Sequence, residues 1–149
     1  MTMMTKKKLA IALSLVLCAA AAQARDTLLQ IPLADVLAMP EAQSELDGSV
    51  KFYLAGAATP KISKRMGSDV SNPKTNAFNK SDDFACKWAA LSALKAFQSK
   101  AKAQGANAVV DIVSYYKRSE SKNDTTIECH AGAFVAGLAL KGTYAVVGK

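Results

Sequence analysis

Cys129 and His130 stand side by side, and the next cysteine back along the chain is Cys86. A thiol beside an imidazole is the raw material of thiol catalysis, disulfide exchange and metal ligation. These two, however, fall in a stretch with strand character, where neighbouring side chains point to opposite faces, so His130 cannot serve as base to Cys129. His130 is the only histidine in the chain. A Ser-His-Asp triad would have to use it, and no Gly-x-Ser-x-Gly turn presents a serine. Metal hydrolysis needs more ligands than His130 and scattered carboxylates provide. The phosphate-cradling loop ending in Gly-Lys-Ser/Thr is absent, which excludes that route to ATP chemistry. The residues thus point to a chain that is not an enzyme and carries no cofactor. A metal-binding or thiol-redox module using Cys129, His130 and Cys86 stays open as the alternative, although no C-x-x-C spacing supports it.

The elements that must position these residues begin with a segment that positions nothing. Lys6, Lys7 and Lys8 precede an apolar run from Leu9 to Ala22, and Ala22 and Ala24 form an Ala-x-Ala site before Arg25. That is the layout of a cleaved signal peptide over residues 1–24, and it predicts export to the periplasm. The apolar run, about 14 residues, is shorter than the roughly 20 a membrane-spanning helix requires. Lipid attachment at Cys18 would want a small residue before it, and Leu17 stands there.

Cleavage changes what matters for partners. The chain has 19 Lys and Arg against 12 Asp and Glu. Loss of Lys6, Lys7 and Lys8 leaves 16 against 12, a mildly basic domain over 25–149 with net charge +4. Because acids alternate with the bases, no nucleic-acid stripe is formed; an envelope protein or an anionic envelope component is the expected partner. Cys18 leaves too, so Cys86 and Cys129 become an even pair in an oxidising compartment. A bridge between them would close a loop of about 43 residues, on the order of 4 kcal/mol in the chain-entropy account.

The clearest element is a helix from Asp82 to Gln104. Ser81 can cap it, Asp82 and Asp83 suit its positive end, and Gly105 stops it. Cys86, Ala90, Ala93, Leu94, Phe97 and Ala101 share one face, predicted to meet a sheet. Phe84, Trp88 and Leu91 form a second apolar patch, expected under a loop as an extension of the core. Residues 108–116 then read as a strand, β-branched and aromatic. Lys117 to Asp124 is expected as a hairpin loop, with a return strand from Thr125 through Leu140 lying antiparallel to it. Gly132, Gly137 and Gly142 suggest bulges, a bend or close approach of the helix backbone. Thr143 to Val147 is a last strand or the bent remainder of the same one.

Before the helix, Thr27 to Ile31 and Val50 to Leu54 have strand character and flank a short helix within Leu33 to Leu46. Ala55 to Lys80 is rich in Ser, Asn, Pro, Gly and Lys and shows little period. It is expected as a long basic loop with a short strand near Ile62, and long loops in small domains often carry function. Lys61, Lys64, Arg65 and Lys74 are its candidate partner-binding residues.

The segments Cys86-Lys87-Trp88-Ala89-Ala90-Leu91, Gly105-Ala106-Asn107-Ala108-Val109-Val110, Ser114-Tyr115-Tyr116-Lys117 and Glu128-Cys129-His130-Ala131-Gly132-Ala133 resemble small exported bacterial proteins of unknown role. Some of those carry an "excinuclease ATPase subunit" label, which the missing phosphate loop and zinc modules contradict here. More remotely, a helix ending in Gly-Ala-Asn-Ala-Val-Val, then a strand and a return strand rich in Cys, Gly and Ala, resembles the heavy-metal-binding domain family and the stress-sensor lipoprotein of the Rcs phosphorelay. The sensor's bridged cysteines imply a Cys86–Cys129 bond in this chain. Taken together, the expectation is one α+β domain with a β-α-β-β core, the long helix packed on an antiparallel sheet, acting as a non-catalytic envelope interaction or maintenance module.

Overall fold

The helix with the strongest terminal signals, Asp82–Gln104, is where the fold is organised. In a computed structural model that describes residues 25–148, the Ser81 hydroxyl accepts a hydrogen bond from the Phe84 amide at 3.1 Å, and Gly105 ends the helix in the left-handed conformation at φ 76°. The expected leader over 1–24 lies outside the described residues. All six residues of the predicted face are buried, and so are Ala85, Ala89 and Leu91. The buried stripe is wide because strands of two sheets contact this helix.

In chain order the elements are β1 (Thr27–Pro32), α1 (Leu33–Leu37), α2 (Pro40–Glu45), β2 (Lys51–Leu54), β3 (Ile62–Ser71), β4 (Lys74–Asn76), α3 (Asp82–Gln104), β5 (Ala108–Ser114), β6 (Thr126–Ala131), β7 (Val135–Gly137) and β8 (Leu140–Val147). The architecture is α+β, as the patterning predicts. The first sheet runs β1-β6-β7-β4, antiparallel throughout; the second runs β2-β5-β8-β3, with β2 and β5 parallel and the other pairs antiparallel. One buried cluster draws Ile31, Val36, Leu94, Phe97, Ile112, Ile127 and Leu138 from both sheets and the helices.

Several local expectations are corrected. The helix within Leu33 to Leu46 is two short ones, because Pro40 opens a new first turn where it has no amide to lose. The segment expected as a loop with a short strand near Ile62 holds β3, a ten-residue strand that begins at Ile62, and β4. Its sequence hides this because β3 is an edge strand whose side chains are mostly exposed, with Lys64, Arg65 and Asp69 guarding the edge.

The expected β5–β6 hairpin does not form either. Both neighbours of β5 are already supplied by β2 and β8, and it meets the returning chain through the Ser114–Ser121 bridge and through the Glu128 amide, which donates to the Ser114 hydroxyl at 2.8 Å. A 3-10 turn at Tyr116–Arg118, with left-handed Lys117 and Arg118, carries the chain across to the other sheet. The return strand is likewise interrupted: β6 turns after Gly132 into β7, and β8 begins at Leu140. Gly142 is needed for close approach, but of side chains on β5 rather than of the helix. A Cβ there would sit 2.6 Å from a Val109 methyl and 3.2 Å from Ile112.

Candidate functional site

β6 alternates strictly: Ile127, Cys129 and Ala131 are buried, while Thr126, Glu128 and His130 are half-buried. Cys129 therefore faces α3, where it is bonded to Cys86 at an S–S distance of 2.04 Å, and both residues are inaccessible to solvent. His130 faces the other side of the first sheet. Its ring stacks on Tyr116, centroids 3.5 Å apart and planes 15° from parallel, and its Nδ1 lies 3.0 Å from an Asp26 carboxylate oxygen. A carboxylate oxygen accepts, so this bond is made by the ring form that has its proton on Nδ1. The Lys117 ammonium lies 5.4 Å from the Tyr116 ring centroid.

Asp26, Tyr116 and His130 line a cleft of about 660 Å³ whose walls also include Arg25, Lys74, Phe134 and Val135. His130, Gly137 and Lys74 sit abreast on β6, β7 and β4. At one end the chain folds back in a tight hairpin, its ladder closed by the Gly132 amide on the Val135 carbonyl at 2.8 Å, which puts Ala133 and Phe134 at the tip. Phe134 is 65 % exposed, and its ring stacks on Phe78 with centroids 5.6 Å apart. Arg25 locks the cleft to the helix: it donates to both Asp82 oxygens, at 2.7 and 3.0 Å, and to the Gly132 carbonyl at 2.9 Å. That hydrogen-bonded ion pair holds the Asp82 carboxyl below the usual carboxylate range.

The predicted partner-binding bases divide between the two sheets. Lys61 precedes β3, and Lys64 and Arg65 lie on it at the edge of the second sheet, where Arg65 is paired with Asp111 at 2.6 Å. Lys74 lies on β4 at the edge of the first sheet and lines the cleft. The second aromatic patch also differs from expectation: Leu91 is buried, but Phe84 and Trp88 are 44 % and 38 % exposed, with rings stacked at 6.3 Å. Asp26, Tyr116 and Phe134 were not distinguishable in the sequence as site residues. Asp26 reads as the second residue after a cleavage point, and the two aromatics read as strand interior. The adjacent Gly132, with Phe134 two residues on, is the one local hint of an exposed tip.

Among the described residues, no three of His, Cys, Asp and Glu come together as a metal-holding group, and no helix is long and apolar enough to cross a membrane. The arrangement around His130 is suited to recognition: a planar, hydrogen-bonded aromatic stack beside a lysine and an exposed phenylalanine. The chain matches no family model, no curated protein and no solved structure.

Proposed function

We propose that this chain is an exported, non-catalytic interaction module of the cell envelope, and that it meets its partner on the face of the first sheet that carries the His130 cleft. The observation that carries this reading is the exposed hairpin tip, where Phe134 projects beside the cleft with Phe78 and Val135. Large exposed apolar groups in a cluster mark interaction sites more often than they mark idle surface. Export is supported by the basic, apolar and Ala-x-Ala zones of residues 6–24, and a buried disulfide is in keeping with an oxidising compartment. The metal-binding or thiol-redox alternative draws less support, since the Cys86–Cys129 bond occupies both thiols and turns Cys129 away from His130.

A photo-crosslinking residue in place of Phe134, introduced in living cells, tests the reading. The expected result is a discrete adduct from the envelope fraction that is missing when the same residue replaces Lys64 on the second sheet. Equal labelling from both positions, or none from Phe134, rejects it. Mass spectrometry of the purified protein checks export, with Arg25 expected as the first residue.

A further inference from the structure

We infer that the free edge of β4 accepts an extended, acidic peptide segment with an apolar residue at every second position, added as a further strand of the first sheet. The inference rests on the interaction-module reading and names its kind of partner. It begins with hydrogen-bond geometry. In the β4–β7 ladder the Ala77 amide donates to the Phe134 carbonyl at 2.8 Å and the Leu138 amide to the Pro73 carbonyl at 3.3 Å. Since bonded residues alternate along an antiparallel pair, Thr75 turns its backbone groups to β7, and Lys74 and Asn76 turn theirs to the open side. Both are exposed. On that side the Lys80 ammonium donates to the Asn76 carbonyl at 3.2 Å.

The surroundings of this edge differ from those of the other three. Of the seven large apolar side chains exposed among the described residues, Leu28 lies on β1 and Val70 on β3, while Phe78, Phe84, Trp88, Phe134 and Val135 flank β4. They do so on both faces. Val135, opposite Asn76, and the Phe78–Phe134 stack stand on the cleft side. On the helix side, Phe84 and Trp88 form a groove of about 320 Å³ with Thr75, Asn76 and Lys80. An added strand directs alternate side chains to the two faces, so its apolar set can enter the Phe84–Trp88 groove while the intervening acidic set faces the cleft side that carries Lys74; main-chain bonds then give affinity and the flanking pockets give selectivity.

Charge selects the sign of the segment. Among the described residues Asp82 and Asp83 are taken by Arg25 and Lys87, at 2.7 and 2.8 Å, while Lys74 and Lys80 have no carboxylate partner. Two lysines beside an open edge favour an acidic strand and disfavour a second copy of the same edge, which would oppose lysine to lysine. A bilayer is disfavoured as well, because an unpaired strand edge is costly in hydrocarbon.

The test selects binders from a pooled library of seven-residue peptides with random composition, displayed to the oxidised protein. Enrichment of acidic sequences with alternating apolar residues is expected. Binding of the best of them should slow hydrogen exchange of the Lys74 and Asn76 amides at least tenfold. Replacing both Phe84 and Trp88 by Ala should weaken the binding at least tenfold, and methylating the peptide's edge-facing amides should do the same. Leu28→Ala, at the opposite edge, should leave it unchanged. No enrichment, enrichment of basic or non-alternating sequences, or binding without slowed exchange at Lys74 and Asn76 overturns the inference. So does dimerisation, or adsorption to anionic phospholipid vesicles, that the Phe84 and Trp88 substitutions abolish. If the Phe134 crosslink persists while any of these results is found, strand addition fails and the interaction-module reading stands; if the crosslink is lost as well, both fail.

Discussion

Cys129 and His130, adjacent in β6, face opposite sides of the first sheet, so that one is bonded to Cys86 on the helix and the other stacks on Tyr116. The fold's one crosslink and its most elaborate surface group are thus back to back on a single strand. Each can be altered while the other remains, which makes stability and recognition separable by mutation.

Removing the crosslink should cost stability without touching the cleft. Cys86→Ala with Cys129→Ala frees a loop of 43 residues, worth about 4 kcal/mol in the chain-entropy account. Urea unfolding of the double variant should show a loss of that order. Thiol titration of the unreduced, denatured protein should find no free thiol at Cys86 or Cys129, and two would exclude the bond.

Packing against Gly142 leaves no room for a methyl group, given the 2.6 Å approach of Val109. Gly142→Ala should destabilise the protein by about 1–3 kcal/mol, the usual range for overpacking in a filled core. A measured change below a few tenths would mean that β5 and β8 yield readily at this point.

The Tyr116–His130 stack should be visible as a coupling energy. Single replacements by Ala and the double replacement, compared in a denaturation cycle, should give about 1 kcal/mol of interaction, the scale of an aromatic pair beyond its burial. Additive single effects would show that the 3.5 Å stack contributes nothing to stability.

Stability should fall at both ends of the pH scale, for opposite reasons. The Lys100 ammonium donates to Asp69 at 2.7 Å, and with the Tyr144 hydroxyl it holds the Asp69 carboxyl below its ordinary range; Lys102 and Ser49 do the same for Asp47. Groups depressed on folding stabilise the protein above their unfolded pKa, near 4, and that contribution is lost as pH falls through their folded values. Tyr144 is shifted the other way, chiefly by burial and then by its hydrogen bond to Asp69. Its contribution is complete below about pH 10, the unfolded value, and is lost as pH rises towards the folded one. Unfolding followed by urea across pH should therefore give a plateau between about pH 5 and pH 9. Tyr144→Phe should flatten its alkaline side, and an unchanged alkaline limb would point to other groups.

Local signals made the long helix, its buried face and the character of β5 readable, because Ser81, Gly105 and the spacing of Cys86, Ala90, Leu94 and Phe97 all act within a few turns. What escaped was non-local. His130 is 104 residues from Asp26, and nothing in the spacing of either foretells their contact. The division into two sheets was equally hidden, since β5 and β6 follow one another in sequence and join different sheets. β3 was legible only at its start, as a short strand near Ile62, for a different cause: an edge strand owes its shape to the ladder with β8 rather than to an apolar period of its own.

The pairing of β1 with β6 also sets the order in which the chain can fold. Gln30 meets Glu128 across 98 residues, and the Leu33 amide closes the same ladder on Thr125. β1, the first of the described strands to emerge from a ribosome or a translocation channel, therefore has no mate until Thr126 to Ala131 have followed. Contacts this distant in sequence form late and slowly, so a nascent chain stopped before Thr126 leaves β1 as an unclaimed edge, exposed to whatever waits beside it.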